Sequence, residues 1–424
     1  MKVLNNIEES KGFCVLPWIH FHAWPDKRVL PCCIAESNMP VSNTDHDTVL
    51  DMMNSERYRQ IRLDMLEDKK ITECQRCYSL EEYGVWSLRQ SNNRRRFESV
   101  KDLVEATNED GSIDTFKMKY LDIRFSNLCN MKCRTCGPPC SSRWAEEFVK
   151  MQGKSGKKEL KTIFNMDKTV VNANDDGTLL EKIKPHLLDV EEVYFAGGES
   201  LITNEHYDIL DYWLEHNHTN VELTYTTNFL TLRHKKKNAV NYWKSFNNIR
   251  VWASLDGMGS VLELMRHGAN WQEIHDNILL VKKETPHVKF GITPTISIWN
   301  VFHFPIFHRF LLDNKLIGIE DLRLNILTYP EHMAISILPK PLAEKAEDLW
   351  WEHYHYLKFK HPYEEEHLGQ LRTVCTALSN SVVNIEKLKE FFEVDTRISG
   401  LRNENTFENI PELLELQTWL KNNS

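Results

Sequence analysis

Apolar and polar positions alternate along the chain in a way that predicts short strands separated by amphipathic helices. Six runs are rich in β-branched and aromatic residues: MKYLDIRF (118–125), EEVYFAG (191–197), VELTYTT (221–227), NIRVWAS (248–254), HVKFGITPTI (287–296) and DLRLNIL (321–327). Helical spacing lies between them, as in EHYDILDYWLEHN and in WQEIHDNILLVKKE, where Ile274, Ile278 and Val281 recur on one face. Alternating strands and helices predict an α/β fold, a partial (β/α)6 barrel of the TIM type around a parallel sheet.

Polar or glycine-rich motifs follow four of these predicted strands at their carboxyl ends. In strand order they are Cys129, Cys133 and Cys136; Gly197, Gly198 and Glu199; Thr227 and Asn228; and Ser254, Leu255, Asp256 and Gly257. Active groups of such barrels lie at this end of the strands. Turns also favour Gly, Asn and Asp, which explains each motif alone but not the cysteines. We therefore expect one functional rim.

The chain divides into four parts. Residues 1–88 are rich in cysteine, residues 89–116 are polar and read as a linker, residues 117–335 hold the barrel, and residues 336–424 read as a helical extension. Near the N-terminus, SERYRQIRLDMLED predicts an amphipathic helix with Tyr58, Ile61 and Met65 on one face. Between the first two barrel strands, SSRWAEEFVKMQ predicts a helix and GKSGKKELK a mobile loop.

Composition narrows the class of protein. The 424 residues carry a formal net charge of −9, whereas duplex nucleic-acid binders usually carry a basic surplus; the run Arg94-Arg95-Arg96 reads as a solvated face rather than a phosphate site. The N-terminus lacks the basic start and apolar core of a signal peptide, and no stretch reaches 18 apolar residues. We expect a cytoplasmic protein with no membrane partner, in which ten cysteines serve as metal ligands or catalytic groups rather than disulfides.

The cysteine triplet has the spacing C-x3-C-x2-C, one thiolate short of an ordinary closed site. Structural zinc takes four protein ligands, and a [4Fe–4S] cluster is usually held by four cysteines. Three cysteines on such a cluster leave one iron open to a substrate or cosubstrate.

These motifs resemble those of radical S-adenosylmethionine (SAM) enzymes over roughly residues 118–330. The likeness comprises the triplet after the first strand, GGE at 197–199, and SLDG at 254–257 followed by MRHGANW at 265–271. It implies a [4Fe–4S] cluster on Cys129, Cys133 and Cys136, the methionine amino group of SAM at Gly197, Gly198 and Glu199, and SAM ribose and carboxylate contacts at Ser254 and Arg266, with Asn228 beside them. Two positions depart from the family pattern: Thr135 stands where an aromatic residue is frequent and Ser200 where proline is usual.

The resemblance also implies an activity. Members of the family cleave SAM reductively to a 5′-deoxyadenosyl radical, which abstracts a hydrogen atom from the substrate, so this chain would be an oxidoreductase or maturase. An external flavodoxin- or ferredoxin-like donor would supply electrons, and the substrate would be a peptide, a protein side chain or a small molecule. Asp256 is the one acid–base candidate on the rim, with capping of the turn as its other role.

A second cysteine group precedes the barrel. Cys14, Cys32, Cys74 and Cys77 suit a closed four-ligand site for zinc or iron–sulfur. FCVLPWIHFHAWPDKRVLPCC followed by ECQRC resembles the twitch or SPASM domain of radical SAM enzymes, with Lys27 in place of the usual Gly. This implies an auxiliary [4Fe–4S] cluster in electron transfer, with Cys33 as the alternative to Cys32.

Two questions stay open at this stage. His20 and His22 share one strand face. Either they have a functional role, lining a substrate cavity or donating to cluster sulfurs, or they have an ordinary role in packing or at the surface. A different class of function also fits the cysteines, a non-catalytic binding protein stabilised by zinc or iron–sulfur.

Overall fold

A parallel sheet with helices on one face organises the chain. A computed structural model describes residues 7–82, 84, 86–362 and 365–424. Its strands are β1 His20–Ala23, β2 Arg28–Val29, β3 Ser42–Asn43, β4 Tyr120–Ile123, β5 Lys132–Cys133, β6 Glu192–Phe195, β7 Glu222–Thr227, β8 Arg233–His234, β9 Lys237–Asn238, β10 Asn248–Ala253, β11 Arg266–His267, β12 Lys289–Ile292, β13 Thr295–Ile296 and β14 Asn325–Ile326.

The α-helices of the described residues follow the predicted alternation. They are α1 Leu16–Ile19, α2 Val49–Met53, α3 Glu56–Leu66, α4 Gln75–Glu82, α5 Leu88–Glu105, α6 Ser142–Met151, α7 Gly156–Phe164, α8 Thr178–Ile183, α9 Asn204–Glu215, α10 Ala239–Trp243, α11 Gly259–Met265, α12 Trp271–Glu284, α13 Phe304–Asp313, α14 Lys340–Lys360, α15 Gly369–Ser379, α16 Ile385–Arg402, α17 Thr406–Asn409 and α18 Glu412–Asn423. Among these described helices, none has the length and apolar character needed to cross a membrane.

Five of the six predicted runs contribute strands to one sheet, together with β1, β2 and β3, in the order β12-β10-β7-β6-β4-β1-β2-β3. The five strands β4, β6, β7, β10 and β12 are parallel to their neighbours. The sixth predicted run continues them, because Leu322 bridges Ile292 and β14 pairs with β13 in parallel. The α/β class and the parallel sheet are confirmed.

The two faces of the sheet differ in chemistry. Phe195, Tyr225 and Val251 are buried on the face that contacts helices such as α9 and α10, as the apolar half of each strand pattern predicts. The opposite face carries alternate residues such as Asp122 and Arg250, which share a row across β4, β6, β7 and β10. This polar face is the one available to a ligand.

The predicted helices form for local reasons that the structure shows. In α12, the Asn270 side chain accepts a hydrogen bond from the Glu273 N–H at 3.0 Å and caps the first turn. Ile274, Ile278 and Val281 are then buried on one face, as expected. The predicted helices near residues 56–66 and 142–151 and the helical extension after residue 340 are likewise confirmed.

The N-terminal part of the chain extends the same sheet. β1 pairs in parallel with β4 over His20–Tyr120 to Ala23–Ile123, and β2 and β3 continue the edge in antiparallel pairing. The backbone ladder therefore joins the cysteine-rich region to the first barrel strand.

Two stretches differ from expectation. Most of the polar segment 89–116 lies in α5, which buries Phe97, Val100 and Val104, and two of its arginines, Arg95 and Arg96, bind Glu192. The expected mobile loop GKSGKKELK instead forms a 3-10 turn and α7, because apolar Leu160 anchors that helix in a small core. In both helices, the many charged residues mask the apolar face in the sequence pattern.

Candidate active site

The loop after β4 carries the cysteine triplet and is paired directly with the MRHG segment. β5 pairs antiparallel with β11, which places Arg266 opposite Cys133. The Arg134 N–H donates to the Met265 carbonyl at 2.7 Å. Sequence positions more than 130 residues apart are thus fixed side by side.

The two glycines of GGE permit a second close contact with this loop. The Gly198 N–H donates to the Ser126 carbonyl at 3.0 Å, and the Glu199 N–H donates to the Leu128 carbonyl at 2.8 Å. Gly197 has φ +128°, a conformation that side chains disfavour. A Cβ at Gly198 would lie 2.2 Å from the Leu128 oxygen, so any larger residue would push the GGE loop away from the cysteines.

The Glu199 carboxylate is buried and only partly satisfied. Oε1 accepts from the Leu201 N–H at 3.1 Å and from the Thr227 hydroxyl at 2.7 Å, while Oε2 accepts from the Asn228 N–H at 2.7 Å. Burial raises the pKa of Glu199, although these donors oppose the rise. A carboxylate oxygen has about two acceptor sites, so Oε2 retains one for a cation such as an ammonium group.

Asn228 connects the third strand to the cysteine loop. Its Nδ2 donates to Asn130 Oδ1 at 2.7 Å and lies 4.0 Å from Cys129 Sγ. Ser254, at the end of the fourth strand, is half-buried, and its N–H donates to the Thr227 carbonyl at 2.8 Å. Three of the four rim motifs therefore meet the cysteine loop or each other.

Half-buried Arg266 and buried Asp256 form an ion pair, with Nε and Oδ2 separated by 2.8 Å. Arg266 Nη1 also donates toward Cys133 Sγ at 3.7 Å. Burial disfavours the guanidinium charge, but Asp256 and Cys133 outweigh it and raise the pKa of Arg266. Asp256 further accepts from the Thr295 N–H at 2.8 Å. These contacts make Asp256 a positioning residue for Arg266, and its role as an acid–base group remains a prediction.

The three thiols of the triplet differ in exposure. Cys129 is buried, whereas Cys133 and Cys136 are half-buried. Burial raises the pKa of Cys129 to about 12, and the Cys140 thiol, followed by burial, raises the pKa of Cys136. Cys140 is exposed, and its contact with Cys136 lowers its own pKa to about 7. Cys140 is thus a reactive neighbour of the triplet rather than an isolated thiol.

The four N-terminal candidates come from separate elements. Cys14 precedes α1, Cys32 follows β2, Cys74 ends a 3-10 turn and Cys77 lies in α4. Burial raises the pKa of Cys14, and its thiol senses the charges of Cys32 and Cys77; burial likewise raises the pKa of Cys74, which senses the other three. The structure therefore brings the four sulfurs into one neighbourhood.

Cys33, the alternative ligand, faces elsewhere. Burial raises its pKa, and the next causes are the charge of Asp122 on the polar face of β4 and that of the neighbouring Cys32. Its side chain lines a cavity with Tyr194 and Arg323. This orientation places Cys32, not Cys33, among the other cysteines.

The comparisons with known proteins concern this N-terminal region most directly. Residues 14–78 match the family model SPASM, described as an iron–sulfur cluster-binding domain.

Residues 14–78 are similar to the SPASM family, and we call them the SPASM domain.

The match confirms, for these residues, the predicted resemblance to a SPASM domain. No curated protein matches the chain. Among solved structures, "Native anSMEcpe with bound AdoMet and Cp18Cys peptide" is similar at 15% identity and TM-score 0.36 over 57% of this chain and 61% of that one. "Structure of TYW1 with a lysine-pyruvate adduct bound" is similar at 9% identity and TM-score 0.29 over 57% and 71%. The chain spans about three fifths of the length of the first, and TM-scores this low do not establish a common fold.

The SPASM thiols fit an iron–sulfur cluster better than a single ion. Among the described residues, no group of three or more His, Cys, Asp or Glu side chains is placed to hold one metal ion. A tetrahedral zinc site needs every sulfur about 2.3 Å from one point, whereas each thiolate of a cubane binds a different iron. Cys14, Cys32 and Cys77 are buried and Cys74 is half-buried, and the matched family model, described as iron–sulfur cluster-binding, favours the second arrangement.

His20 and His22 of the SPASM domain lie at its seam with the barrel sheet. His22 Nδ1 is 3.2 Å from Asp122 Oδ1, and Trp24 Nε1 donates to His22 Nε2 at 2.9 Å. His20 Nδ1 lies 3.1 Å from the Pro31 carbonyl, and its ring packs on Tyr120. Burial lowers the pKa of His20 to about 3. Both histidines are therefore fixed in the core, as one of the two open alternatives has it.

A residue that sequence reasoning missed lies inside the triplet itself. Arg134, between Cys133 and Cys136, is fully buried and donates to Asp395 at 2.5 Å, to Glu404 at 2.6 Å and to Ser399 at 2.9 Å. The helical extension thus holds the cysteine loop through a chain of charge-assisted hydrogen bonds. The sequence signal for this contact is an arginine between two predicted ligands, because a buried charge at that position requires an acidic partner.

Proposed function

We propose that the protein is a radical SAM enzyme in which a [4Fe–4S] cluster on Cys129, Cys133 and Cys136 works with an auxiliary cluster in the SPASM domain. The observation that carries the proposal is the backbone pairing of the GGE and MRHG segments with the two sides of the cysteine loop. This pairing gathers thiols, a buried carboxylate and a half-buried guanidinium at one rim of a parallel sheet, although the segments are far apart in sequence.

The chain's own groups have defined roles in this scheme. When bound, the cluster supplies the low-potential electron that cleaves SAM to the 5′-deoxyadenosyl radical. Glu199 accepts a hydrogen bond from the methionine ammonium at its free Oε2 position. Arg266, held by Asp256, faces the SAM carboxylate or ribose, and its charge lies against Cys133. The buried rim excludes water and stray hydrogen donors.

The SPASM domain supports an electron-transfer role for the auxiliary cluster. We assign Cys14, Cys32, Cys74 and Cys77 to the cluster, a full set that leaves no iron open to substrate, and β1 pairs with β4, the strand that leads into the triplet. Hydrogen abstraction from the substrate followed by oxidation of the product radical would make the net reaction an oxidation. An external flavodoxin- or ferredoxin-like donor would reduce the SAM cluster.

The test is SAM cleavage by anaerobically reconstituted protein with dithionite, measured as 5′-deoxyadenosine. We expect cleavage by the unchanged chain and none by Cys133→Ala. Cys140→Ser, which removes an adjacent thiol outside the motif, is the matched control and should keep cleavage. Equal 5′-deoxyadenosine from Cys133→Ala and the unchanged protein would refute the proposal, as would purified protein that holds zinc and cleaves no SAM.

A further inference from the structure

A cavity of about 500 Å³ lies between the polar face of the sheet and the SPASM side of the chain. Its wall includes Cys33, Tyr194, Glu222, Thr224, Arg250 and Arg323. Tyr194, Thr224 and Arg250 lie side by side on β6, β7 and β10 because they share one register row. None of the groups assigned above to SAM or to the clusters lines this space, so it is free for another ligand.

Two arginines of this cavity form no ion pair within the part of the chain that the structure describes, although Arg250 lies near enough to Asp321 to oppose the rise that burial causes in the pKa of that carboxyl. Neither Arg250 nor Arg323 is joined to another described residue by an ion pair or a side-chain hydrogen bond. Both guanidinium groups instead lie over the same indole, that of Trp252, at 5.6 Å and 4.1 Å from the ring centroid. Two like charges gathered on one aromatic ring without a counter-ion form a site that favours an anion.

The acidic groups nearby do not cancel this charge. Glu192 is already paired with Arg95 and Arg96, and Asp122 lies against His22. Glu222 is the one cavity carboxylate with no ion pair among the described residues, against two arginines without one.

The location suits a substrate. Arg250, Trp252 and Ser254 alternate on the same face of one chain segment, so Arg250 lies roughly 13 Å below the SAM rim at about 3.3 Å per residue. A molecule held at Arg250 would extend along the polar face toward Ser254 and Arg266. The cavity is therefore placed to hold the far end of a molecule whose reactive carbon lies at the rim.

We propose that Arg250 and Arg323 bind an oxyanion, a carboxylate or phosphate, of the enzyme's substrate. The assignment of this anion to a substrate rests on the proposed function, whereas the anion site itself does not depend on SAM cleavage. The planar fork of arginine matches both oxyanions in a two-point geometry, and Arg323 is exposed enough for a ligand to approach.

The test uses Cys33 as a reporter inside the cavity. Reconstituted protein is treated with iodoacetate, which carries a carboxylate, or with neutral iodoacetamide, and labelling of Cys33 is followed by fragment-resolved mass spectrometry. Free N-acetylcysteine supplies the intrinsic rate ratio of the two reagents. Inorganic phosphate and succinate are added separately as protecting anions, at an ionic strength matched with sodium chloride.

We expect the iodoacetate-to-iodoacetamide ratio at Cys33 to exceed that of N-acetylcysteine by roughly tenfold. The double variant Arg250→Gln/Arg323→Gln should lose the excess, and Arg233→Gln, an exposed arginine outside the cavity, should keep it. Protection by phosphate alone would assign a phosphate-bearing substrate, protection by succinate alone a carboxylate-bearing one, and protection by both the shared oxyanion chemistry. A ratio equal to that of N-acetylcysteine with no protection by either anion would overturn the proposal.

If Cys33 reacts with neither reagent, a second measurement tests the anion site. The thermal unfolding midpoint of the reconstituted protein should rise with phosphate or succinate in the unchanged chain and not in the double variant, because ligands that bind only the native state stabilise it. Equal shifts in both would refute the site. Production of 5′-deoxyadenosine without substrate is recorded in parallel, so a failed anion site is distinguished from a failed radical SAM assignment.

Discussion

The two cysteine sites of this chain differ in how their ligands are delivered. The SPASM thiols come from four elements spread over residues 14–77, and three of the four are buried. The triplet comes from a single loop of eight residues, and two of its three thiols are half-buried. One site is built by tertiary packing and the other by local chain geometry.

Their surroundings differ in the same sense. Around the triplet lie an amide, a buried carboxylate and a half-buried guanidinium from three other strands, namely Asn228, Glu199 and Arg266. Around the SPASM thiols, the charged neighbours pair with each other, as Arg57 does with Glu73 and Arg89 with Glu81. A site that binds a small polar molecule has donors and acceptors without protein partners, whereas in a closed site the polar groups are paired with each other.

The largest expected effect separates the two sites by ligand removal. Cys136→Ala should lose the electron paramagnetic resonance signal that shifts with SAM, and Cys77→Ala should keep it while losing the other reduced signal. Each variant should fall from about eight irons per chain to about four, since one [4Fe–4S] cluster is lost. Iron and sulfide analysis after reconstitution, with spectra in the presence and absence of SAM, gives both readouts.

The comparison breaks if Cys77→Ala loses the SAM-sensitive signal and Cys136→Ala retains it. It also breaks if both variants keep about eight irons, because the sulfurs removed would then not be ligands. Cys375→Ala, a buried cysteine of the helical extension far along the chain from both groups, controls for general loss of folding on cysteine removal.

The next effect tests the hold of the extension on the triplet. Asp395→Asn removes the carboxylate nearest to buried Arg134 but leaves its pair with Glu404, so the cost should stay below that of a fully broken buried pair, about 3–5 kcal/mol. We expect a lower free energy of unfolding together with a broadened SAM-sensitive signal, while the auxiliary signal is unchanged. Arg57→Gln, which opens the Arg57–Glu73 pair next to Cys74, should produce the reverse spectroscopic pattern. Equal broadening of both signals in both variants would contradict a site-specific hold.

A smaller effect concerns SAM affinity. Glu199→Gln replaces the acceptor proposed for the SAM ammonium by a neutral amide, and hydrogen bonds to charged groups contribute about 1.5–3 kcal/mol. We expect SAM to bind roughly 10- to 100-fold more weakly, measured by equilibrium binding to the unreduced reconstituted protein. Glu205→Gln changes another buried glutamate, which accepts from Asn172 at 2.8 Å outside the rim, and should leave SAM affinity intact. An unaltered dissociation constant in Glu199→Gln would remove Glu199 from the site.

The sequence was sufficient for the parts of this picture that depend on short-range pattern. The strand-like runs located five strands of the main sheet and also β14, which pairs with β13. The rim motifs could be aligned because parallel strands end at one edge. Cysteine spacing separated the triplet from the SPASM group. Gly198 was found as a motif residue, and the structure adds the reason, a backbone approach too close for a side chain.

Long-range contacts could not be read in the same way. Arg134 and Asp395 are 261 positions apart, and nothing in either local pattern identifies the other. β1 has only four residues, too few for a hydrophobic pattern that would predict its pairing with β4. In α5, the many arginines and glutamates mask the apolar face of the helix in the sequence. Arg250 and Arg323 read as ordinary surface charges until the register of the sheet places them over one tryptophan.

The smallest expected effect lies at the seam between the two regions, where His22 of the SPASM strand meets Asp122 of the first barrel strand. Burial opposes ionisation of Asp122, but His22 and Arg124 outweigh it, and its pKa falls from 3.8 to about 2. Because the folded pKa is below the unfolded one, ionised Asp122 stabilises the fold above about pH 4, and this stability is lost as the pH falls toward 2.

Asp122→Asn removes this contribution, which is on the order of 2 kcal/mol at neutral pH. The difference in free energy of unfolding between the unchanged chain and Asp122→Asn, both metal-free, should therefore shrink as the pH is lowered from about 5 toward 2, as measured by urea unfolding at each pH. For Asp189→Asn, a change at an exposed position, the free energy of unfolding should have the same pH dependence as that of the unchanged chain. If Asp122→Asn also has this pH dependence, the seam does not depend on the charge of Asp122, and the hydrogen-bonded ladder between β1 and β4 alone joins the SPASM domain to the barrel.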